Sequence, residues 1–211
     1  MKLLIKIIIL AVMAAAVLAA CGRSNKTTNQ AETKPTAAPA AKTTAEPSLT
    51  DNKDHITITL ETGDVIKAEL YPDVAPITVK NFEKLISEKF YDGLIFHRVI
   101  SGFMIQGGGY DVQNNEKAAT PIKGEFKSNG VENNLKHTRG VLSMARTSDP
   151  NSASSQFFIM HKDAPHLDGQ YAAFGKVTEG LDVVDKIAET PTDSQDAPIT
   201  PVVIKSITLD E

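Results

Sequence analysis

The chain has no tryptophan, a single cysteine and few aromatic residues, which make up 6% of its 211 residues. One cysteine excludes an internal disulfide framework and any cysteine-rich metal site. Clusters of lysine and arginine are also missing, and the net charge is −4. Because phosphate contacts require clustered basic side chains, we expect no nucleic-acid partner. Glycine and proline, at 13 and 11 residues, fall far short of a collagen-like or low-complexity composition.

The longest apolar run lies near the amino terminus and is too short to span a bilayer comfortably. It extends over 14 residues, from Ile7 to Ala20, after Lys2 and Lys6, and it is followed by Cys21. A transmembrane helix needs about 20 apolar residues, whereas the apolar segment of a secretory signal has about 7–15. Small residues followed by a cysteine resemble a bacterial lipoprotein signal, so we predict a signal peptide over residues 1–20 and lipidation of Cys21. The alternative is an ordinary signal peptide, or an uncleaved anchor, with an incidental cysteine.

Residues 22–50 have a composition that cannot form a packed core. They include seven Thr, six Ala and three Pro, no aromatic residue and one large aliphatic residue, Leu49. Such a segment buries too little apolar surface to offset the entropy that ordering would cost. We therefore predict that residues 21–53 comprise the lipidated cysteine and a disordered tether. The tether would hold a domain off the extracytoplasmic face of the cell membrane.

The remaining residues, 54–211, predict one domain composed mostly of strands. Short apolar or alternating segments between Gly, Asn and Asp residues are typical of β-strands. They are residues 55–60, 65–70, 94–100, 103–106, 141–145, 156–160, 172–177 and 202–209. Helical spacing of apolar residues predicts one helix that begins at Pro76 and another over residues 181–188. Many short strands with two helices favour a closed or sandwiched antiparallel sheet.

Three stretches carry motif-level information. They are FHRVISGFMIQGG at residues 96–108, GVLSMARTSDPNSASSQFFIM at residues 140–160, and HLDGQYAAFGKV at residues 166–177. Together they closely resemble the cyclophilin family of peptidyl-prolyl cis–trans isomerases, over essentially all of residues 54–211. The resemblance implies a mostly β fold, a closed eight-stranded antiparallel barrel capped by two α-helices. It also implies an enzyme that acts on proline-containing unfolded or extended polypeptides and needs no cofactor and no metal.

The chemistry of X–Pro isomerisation explains why an arginine matters. Rotation about the amide has a barrier of about 18–20 kcal/mol, although the cis and trans ends are nearly balanced. Catalysis therefore requires stabilising the twisted amide, whose nitrogen regains a lone pair. A fixed cationic donor serves this purpose, and by resemblance Arg98 is that catalytic donor. Without the motif, an arginine on a strand would be interpreted as a surface ion-pair partner.

The resemblance also implies which residues bind the substrate. Gln106, the second catalytic residue, would hydrogen-bond the substrate backbone, and Gln156 would support Arg98 or the substrate. The proline ring would enter an apolar slot lined by Phe103, Met104, Phe158 and Leu167. Without the motif, such side chains would be interpreted as core residues. As an added strand does, the extended peptide would pair with backbone groups of Ala145, Arg146 and Thr147.

Three features depart from the family's pattern. His166 stands where a tryptophan that helps to bind cyclosporin is usual, so we expect weak cyclosporin binding. Tyr171 replaces a histidine at the pocket edge, and its ring offers an apolar face and a polar tip. Between residues 111 and 123 the usual glycine-rich loop is absent. That region commonly shapes the pocket for the residue before proline, so this preference stays open.

The sequence therefore predicts a monomeric, membrane-anchored prolyl isomerase that acts on proteins emerging from the secretion machinery. The competing class is a non-catalytic chaperone or adhesion module that keeps the groove and only grips proline-containing peptides. The set of motif residues argues for the enzyme. Acceleration of cis–trans exchange in a peptide, with and without Arg98→Ala, separates the two classes.

Overall fold

The computed structural model describes residues 54–210, and the predicted signal peptide, Cys21 and tether lie outside these residues. The strands are β1 (Asp54–Leu60), β2 (Val65–Leu70), β3 (Leu94–Ile100), β4 (Met104–Asp111), β5 (Val141–Met144), β6 (Phe157–Met160), β7 (Ala173–Glu179) and β8 (Val202–Leu209). Helix α1 spans Pro76–Ser87 and helix α2 spans Leu181–Ala188. Among residues 54–210, no helix is both long enough and apolar enough to cross a membrane.

The eight strands form a closed antiparallel barrel. Around the barrel they follow the order β1–β2–β7–β5–β6–β4–β3–β8, and β8 pairs with β1 to complete the ring. Closure pairs both edges of each strand and leaves no free sheet edge. The predicted fold, an eight-stranded antiparallel barrel with two helices, is confirmed.

The inward-facing side chains of the strands, which alternate with outward-facing ones, fill the barrel interior. In β1, Ile56, Ile58 and Leu60 are buried, while the residues between them are only partly buried. This is the period-2 pattern expected of a strand with one face on the core. Aromatic rings complete the interior: Phe82 of α1 lies 5.3 Å from the ring of Phe157, centroid to centroid. The interior is therefore a packed core, and it leaves the outer face of the barrel for binding.

Helix α1 closes one end of the barrel with the apolar face that its spacing predicts. The buried residues of this face include Val79, Phe82, Leu85 and Ile86. The residue before the helix offers no side-chain cap. Instead the buried carboxylate of Glu125 accepts hydrogen bonds from the main-chain N–H groups of residues 77 and 78, at 3.0 and 2.8 Å. A carboxylate at a helix N-terminus satisfies donors that the helix itself cannot.

Strand β4 extends five residues beyond its predicted end at Gln106, because three consecutive glycines continue the strand. A side chain at Gly107 would place its Cβ 2.9 Å from the carbonyl oxygen of Ile95 on β3. Only glycine lets the two backbones approach this closely. In a sequence, glycine usually predicts the end of a strand, whereas here it marks a close approach of two paired strands.

Candidate active site

One pocket on the outer face of the barrel gathers most of the predicted site residues. It has a volume of about 270 Å³ and is lined by Arg98, Phe103, Met104, Gln106, Ala145, Arg146, Phe158, Leu167 and Tyr171. All of these are among the residues that the sequence motifs predict. Three other predicted residues, Thr147, Gln156 and His166, are not part of the pocket lining.

The floor of the pocket is apolar and lies outside the barrel core. Met104 and Phe158 are 2% and 5% exposed, and they belong to a small cluster that is separate from the main core. Their strand neighbours Ile105, Phe157 and Ile159 point into the barrel and belong to the main core. Met104 and Phe158 are therefore buried by the segment between β6 and β7, which includes Leu167 of the same cluster.

A bulge in β3 turns Arg98 to the outer face. Leu94 and Phe96 are buried, so simple alternation would also point residue 98 into the barrel. The pairing with β4 shifts between Phe96 and Arg98: Phe96 lies opposite Gly107, whereas Arg98 lies opposite Gln106. The extra residue reverses the alternation, and bulges commonly re-aim side chains in this way. The side chain of Arg98 is 44% exposed as a result.

Three adjacent strands bring their functional side chains to the same level. Arg98 of β3 lies opposite Gln106 of β4, and Gln106 lies opposite Phe158 of β6. Side chains directly opposite each other in an antiparallel pair have Cβ atoms about 4.5–5.5 Å apart. A cationic donor, an amide and an aromatic ring therefore line up across one pocket.

Gln156 contacts Gln106 rather than Arg98. The side-chain Nε2 of Gln106 donates a hydrogen bond to Oε1 of Gln156 at 3.0 Å. The same Nε2 lies 3.5 Å from Nε2 of His97. Burial lowers the pKa of His97, and the neighbouring charge of Arg98 lowers it further, so this imidazole is neutral at pH 7. Gln156 and His97 together restrict the orientation of the Gln106 amide.

Arg146 is held tightly against the pocket wall. Its guanidinium lies 4.6 Å from the ring centroid of Tyr171 and 5.0 Å from that of Phe126. It also donates hydrogen bonds to the carbonyl oxygens of Gln170 and Thr147, at 2.9 and 2.8 Å. This second arginine therefore contributes a rigid cation–π stack to the wall, whereas Arg98 is much less constrained.

Two of the backbone amides predicted to pair with a peptide are already engaged within the chain. The N–H of Ala145 donates to the carbonyl oxygen of Gln156 at 2.9 Å. The N–H of Thr147 donates to Oγ of Ser152, also at 2.9 Å. Peptide pairing along this segment therefore has to use other backbone groups, and the predicted added-strand contact stays a prediction.

His166 is exposed and lies against one of the residues that line the pocket. Its ring stacks on that of Phe103, with a centroid separation of 5.8 Å and an interplanar angle of 27°. It supports one lining residue and is not itself among the residues that line the pocket. Its small imidazole replaces the larger tryptophan expected from the family's pattern.

A buried histidine behind Phe158 was not predicted from the sequence. His137 is 1% exposed, its Nδ1 lies 3.2 Å from Oδ1 of Asp168, and its Nε2 lies 3.0 Å from Oγ of Ser143. The order of these groups resembles a hydrolytic triad, but Ser143 is fully buried and cannot meet a substrate. The His137 ring instead stacks 6.1 Å from that of Phe158. These residues support the pocket floor, and no local sequence signal brings them together.

Asp196 is the second residue that sequence reasoning missed. Its Oδ2 lies 3.7 Å from Nε of Arg98. Arg98 is therefore both a pocket residue and a partner in a surface ion pair. Nearly a hundred residues separate the two side chains in sequence, and they meet because β8, which follows Asp196, pairs with β3.

Comparison with known proteins identifies the family. A sequence model described as cyclophilin type peptidyl-prolyl cis-trans isomerase/CLD matches residues 55–209. The chain is 53% identical over 152 residues to a peptidyl-prolyl cis-trans isomerase of Acinetobacter baylyi, covering 67% of this chain and 78% of the relative. It is 44% identical over 162 residues to peptidyl-prolyl cis-trans isomerase B of Escherichia coli, covering 71% of this chain and 95% of the relative.

Solved structures agree with this result. A crystal structure of a cyclophilin type peptidyl-prolyl cis-trans isomerase from Cryptosporidium parvum is 31% identical, with a TM-score of 0.65 over 76% of this chain and 99% of that one. A second crystal structure of the C. parvum protein, in the presence of the dipeptide Ala-Pro, is 32% identical, with a TM-score of 0.63 over 74% of this chain and 99% of that one. The chain therefore belongs to the cyclophilin family and is a peptidyl-prolyl cis–trans isomerase.

Proposed function

We propose that the isomerase twists X–Pro bonds by holding the proline ring in the apolar pocket while Arg98 and Gln106 contact the reacting imide and its flanking peptide. The observation that carries this proposal is that Arg98, Gln106 and Phe158 lie directly opposite one another on three paired strands. It gives one pocket a charged rim and an apolar floor.

Arg98 is the group that would stabilise the twisted imide. A guanidinium remains charged at any physiological pH and has five N–H donors in a rigid fork. As the amide rotates out of plane, resonance is lost and the imide nitrogen becomes a better hydrogen-bond acceptor. A charged hydrogen bond contributes about 1.5–3 kcal/mol. Since about 1.4 kcal/mol corresponds to a tenfold change in rate, this one contact accounts for roughly a 10- to 150-fold acceleration.

The pocket floor and Gln106 would fix the two sides of the rotating bond. Phe158 and Met104 offer the proline ring a surface from which water is largely excluded. Gln106, oriented by Gln156 at 3.0 Å, can bond a peptide carbonyl or N–H next to the proline. Rotation then needs no covalent intermediate, because one part of the peptide is held while the other turns.

The test is cis–trans exchange of an Ala-Pro peptide, measured by two-dimensional NMR with catalytic amounts of protein. We expect wild type to accelerate exchange and Arg98→Ala to lose most of the acceleration. Arg98→Lys keeps the charge without the planar fork and should fall in between. Peptide-induced shifts should persist in Arg98→Ala, because the apolar slot is unchanged. Equal acceleration by wild type and Arg98→Ala would contradict the role of Arg98, and peptide binding without acceleration by wild type would favour a non-catalytic module.

The proposal also includes the location of the enzyme. The apolar run before Cys21 and the Thr/Ala/Pro-rich segment after it support a lipid anchor with a tether, whose reach as a flexible coil is on the order of 30 Å. Two or three acyl chains hold a protein firmly at a membrane, whereas one binds only marginally. A monomeric domain on the extracytoplasmic face would meet secreted and envelope proteins before their X–Pro bonds, which equilibrate over tens to hundreds of seconds, limit folding.

Mass spectrometry of the mature protein tests this location. We expect an amino-terminal Cys21 that carries acyl chains. We also expect Cys21→Ser to move the protein from the membrane fraction to the supernatant after cell lysis and washing. An unmodified Cys21 on the mature chain would rule out the anchor without affecting the catalytic proposal.

A further inference from the structure

The carboxylate of Asp196 lies beside Nε of the Arg98 guanidinium, away from its two terminal nitrogens. Its Oδ2 is 3.7 Å from Nε of Arg98, and the two side chains are 46% and 44% exposed. We propose that Asp196 is a positioning residue for Arg98. Its carboxylate attracts the Nε edge of the guanidinium, so that the two terminal nitrogens remain directed at the substrate. This inference rests on the proposed catalytic role of Arg98.

The loop before β8 is built to hold Asp196 in place. Oδ1 of Asp193 accepts hydrogen bonds from the N–H groups of Gln195 and Ala197, at 2.8 and 3.0 Å. The N–H of Asp193 donates to the carbonyl oxygen of Ala197 at 2.9 Å. Asp196 itself has a φ of 65°, in the left-handed region. A non-glycine residue adopts this conformation at some energetic cost, and such residues cluster at functional sites.

A main-chain contact fixes this loop to the strand that carries Arg98. The N–H of Val99, the residue after Arg98, donates to the carbonyl oxygen of Asp196 at 2.8 Å. The main chain at Asp196 is therefore held next to the main chain of the β3 segment that carries Arg98. While this hydrogen bond is made, the two side chains start from neighbouring positions and stay within reach of each other.

At the observed distance, Asp196 can orient the guanidinium of Arg98 without occupying its hydrogen-bond donors. At 3.7 Å the contact is an ion pair but is too long for a hydrogen bond, so it uses none of the donors of Arg98. Arg139 provides the contrast within the same chain. Its two terminal nitrogens bond both oxygens of Asp185, at 2.5 and 2.9 Å. An arginine held in that way has both ends of its fork occupied, whereas Arg98 keeps its terminal nitrogens available.

The test substitution is Asp196→Asn, which removes the charge alone. Asparagine tolerates the left-handed conformation at least as well as aspartate, so the loop and its bond to Val99 should persist. We expect kcat to fall about two- to fivefold, the range that exposed ion pairs support. KM should not change, because the apolar slot is untouched. Added salt should lower kcat of wild type toward that of the variant and leave the variant unchanged.

Asp92→Asn is the matched control. Asp92 is exposed, lies in the turn two residues before β3 begins, and has no side-chain hydrogen bond or ion pair among the described residues. The substitution changes the net charge by the same amount. It should leave kcat and its salt dependence as in wild type.

A double-mutant cycle and a spectroscopic readout complete the experiment. In an Arg98→Ala background, Asp196→Asn should cause no further loss. The Nε–H resonance of Arg98 should shift toward that of free arginine in Asp196→Asn and stay in place in the control. The positioning role is overturned if Asp196→Asn has wild-type or higher kcat, or if its effect persists without Arg98. If Arg98→Ala itself retains full activity, the proposed function fails instead.

Discussion

Gly109 offers a way to perturb the active site without touching the pocket. A Cβ added at this position would lie 2.5 Å from Cγ and 2.7 Å from Nε2 of Gln156. The φ of Gly109 lies outside the left-handed region, so alanine fits its backbone. Because the clash is with a flexible side chain, Gly109→Ala should displace Gln156 and break its 3.0 Å hydrogen bond with Gln106.

The size of the effect follows from that one bond. A hydrogen bond between neutral groups contributes about 0.5–1.5 kcal/mol net. If Gln106 must be held in place at the transition state, losing this support lowers kcat/KM by about 2- to 12-fold. Stability should change little: replacing glycine by alanine gains about 0.4–1 kcal/mol through the unfolded state, which offsets the lost bond. The two nearly cancel, so we expect Tm to stay within about 4 °C of wild type.

The assay is peptide exchange by NMR, with Gln156→Ala as the comparison. Gln156→Ala removes the same hydrogen bond directly and should lower kcat/KM by a similar factor. In the Gln156→Ala background there is no side chain left to displace, so adding Gly109→Ala should cost nothing more. Full activity of Gly109→Ala, or an additive loss in the double variant, would refute the idea that Gly109 acts through Gln156.

Three further predictions concern stability and ligand binding. Glu125→Gln should lower the free energy of unfolding by about 2–3 kcal/mol, and Tm by about 5–10 °C in calorimetry. The reason is that an amide cannot replace both acceptor oxygens of the carboxylate at the α1 N-terminus. An unchanged Tm would contradict the capping role. His166→Trp should bind cyclosporin more tightly than wild type in titration calorimetry, and equal affinity would show that this position does not limit binding. Burial, together with the nearby Asp54, raises the pKa of Glu83 from 4.5 to about 7. The Glu83 carboxyl therefore ionises more easily in the unfolded chain, so wild type should lose stability relative to Glu83→Gln as pH rises from 4.5 through 7. Urea unfolding midpoints of the two proteins that change in parallel over this pH range would contradict this.

Most of the fold could be predicted from local patterns. The bounds of β2, β3, α2 and β8 agree with the predicted segments to the residue, because apolar periodicity and turn residues are clear at these places. Strand β4 was predicted too short, since the three glycines after Gln106 look like a break in sequence. Strand order was beyond local reasoning, because neighbours in the barrel are often far apart in the chain.

The candidate site was much less accessible to local reasoning. Met104 and Phe158 have the pattern of core residues, and they are indeed buried. What sequence periodicity cannot reveal is that they face outward and are covered by the segment after β6. Their assignment to a pocket depended on the family resemblance alone. Asp196 and His137 were missed because only the closed barrel brings them near Arg98 and Phe158.

The bulge in β3 lets a strand with one extra residue still present Arg98 to the pocket. Without it, the alternation that buries Leu94 and Phe96 would turn Arg98 into the barrel, where an unpaired guanidinium could not be accommodated. With one extra residue in β3, Arg98 faces outward opposite Gln106, while Val99 returns to the core. Because a shift of one residue exchanges the two faces of a strand, regular pairing that took His97 into the ladder would remove the catalytic arginine from the pocket. Deleting His97, the residue inside the bulge, should instead keep Arg98 on the outer face, because Phe96 and Arg98 would then pair in unbroken order with Gly107 and Gln106. We expect the deletion variant to retain much of its activity in the NMR exchange assay, and a folded but inactive variant would contradict this account of the bulge.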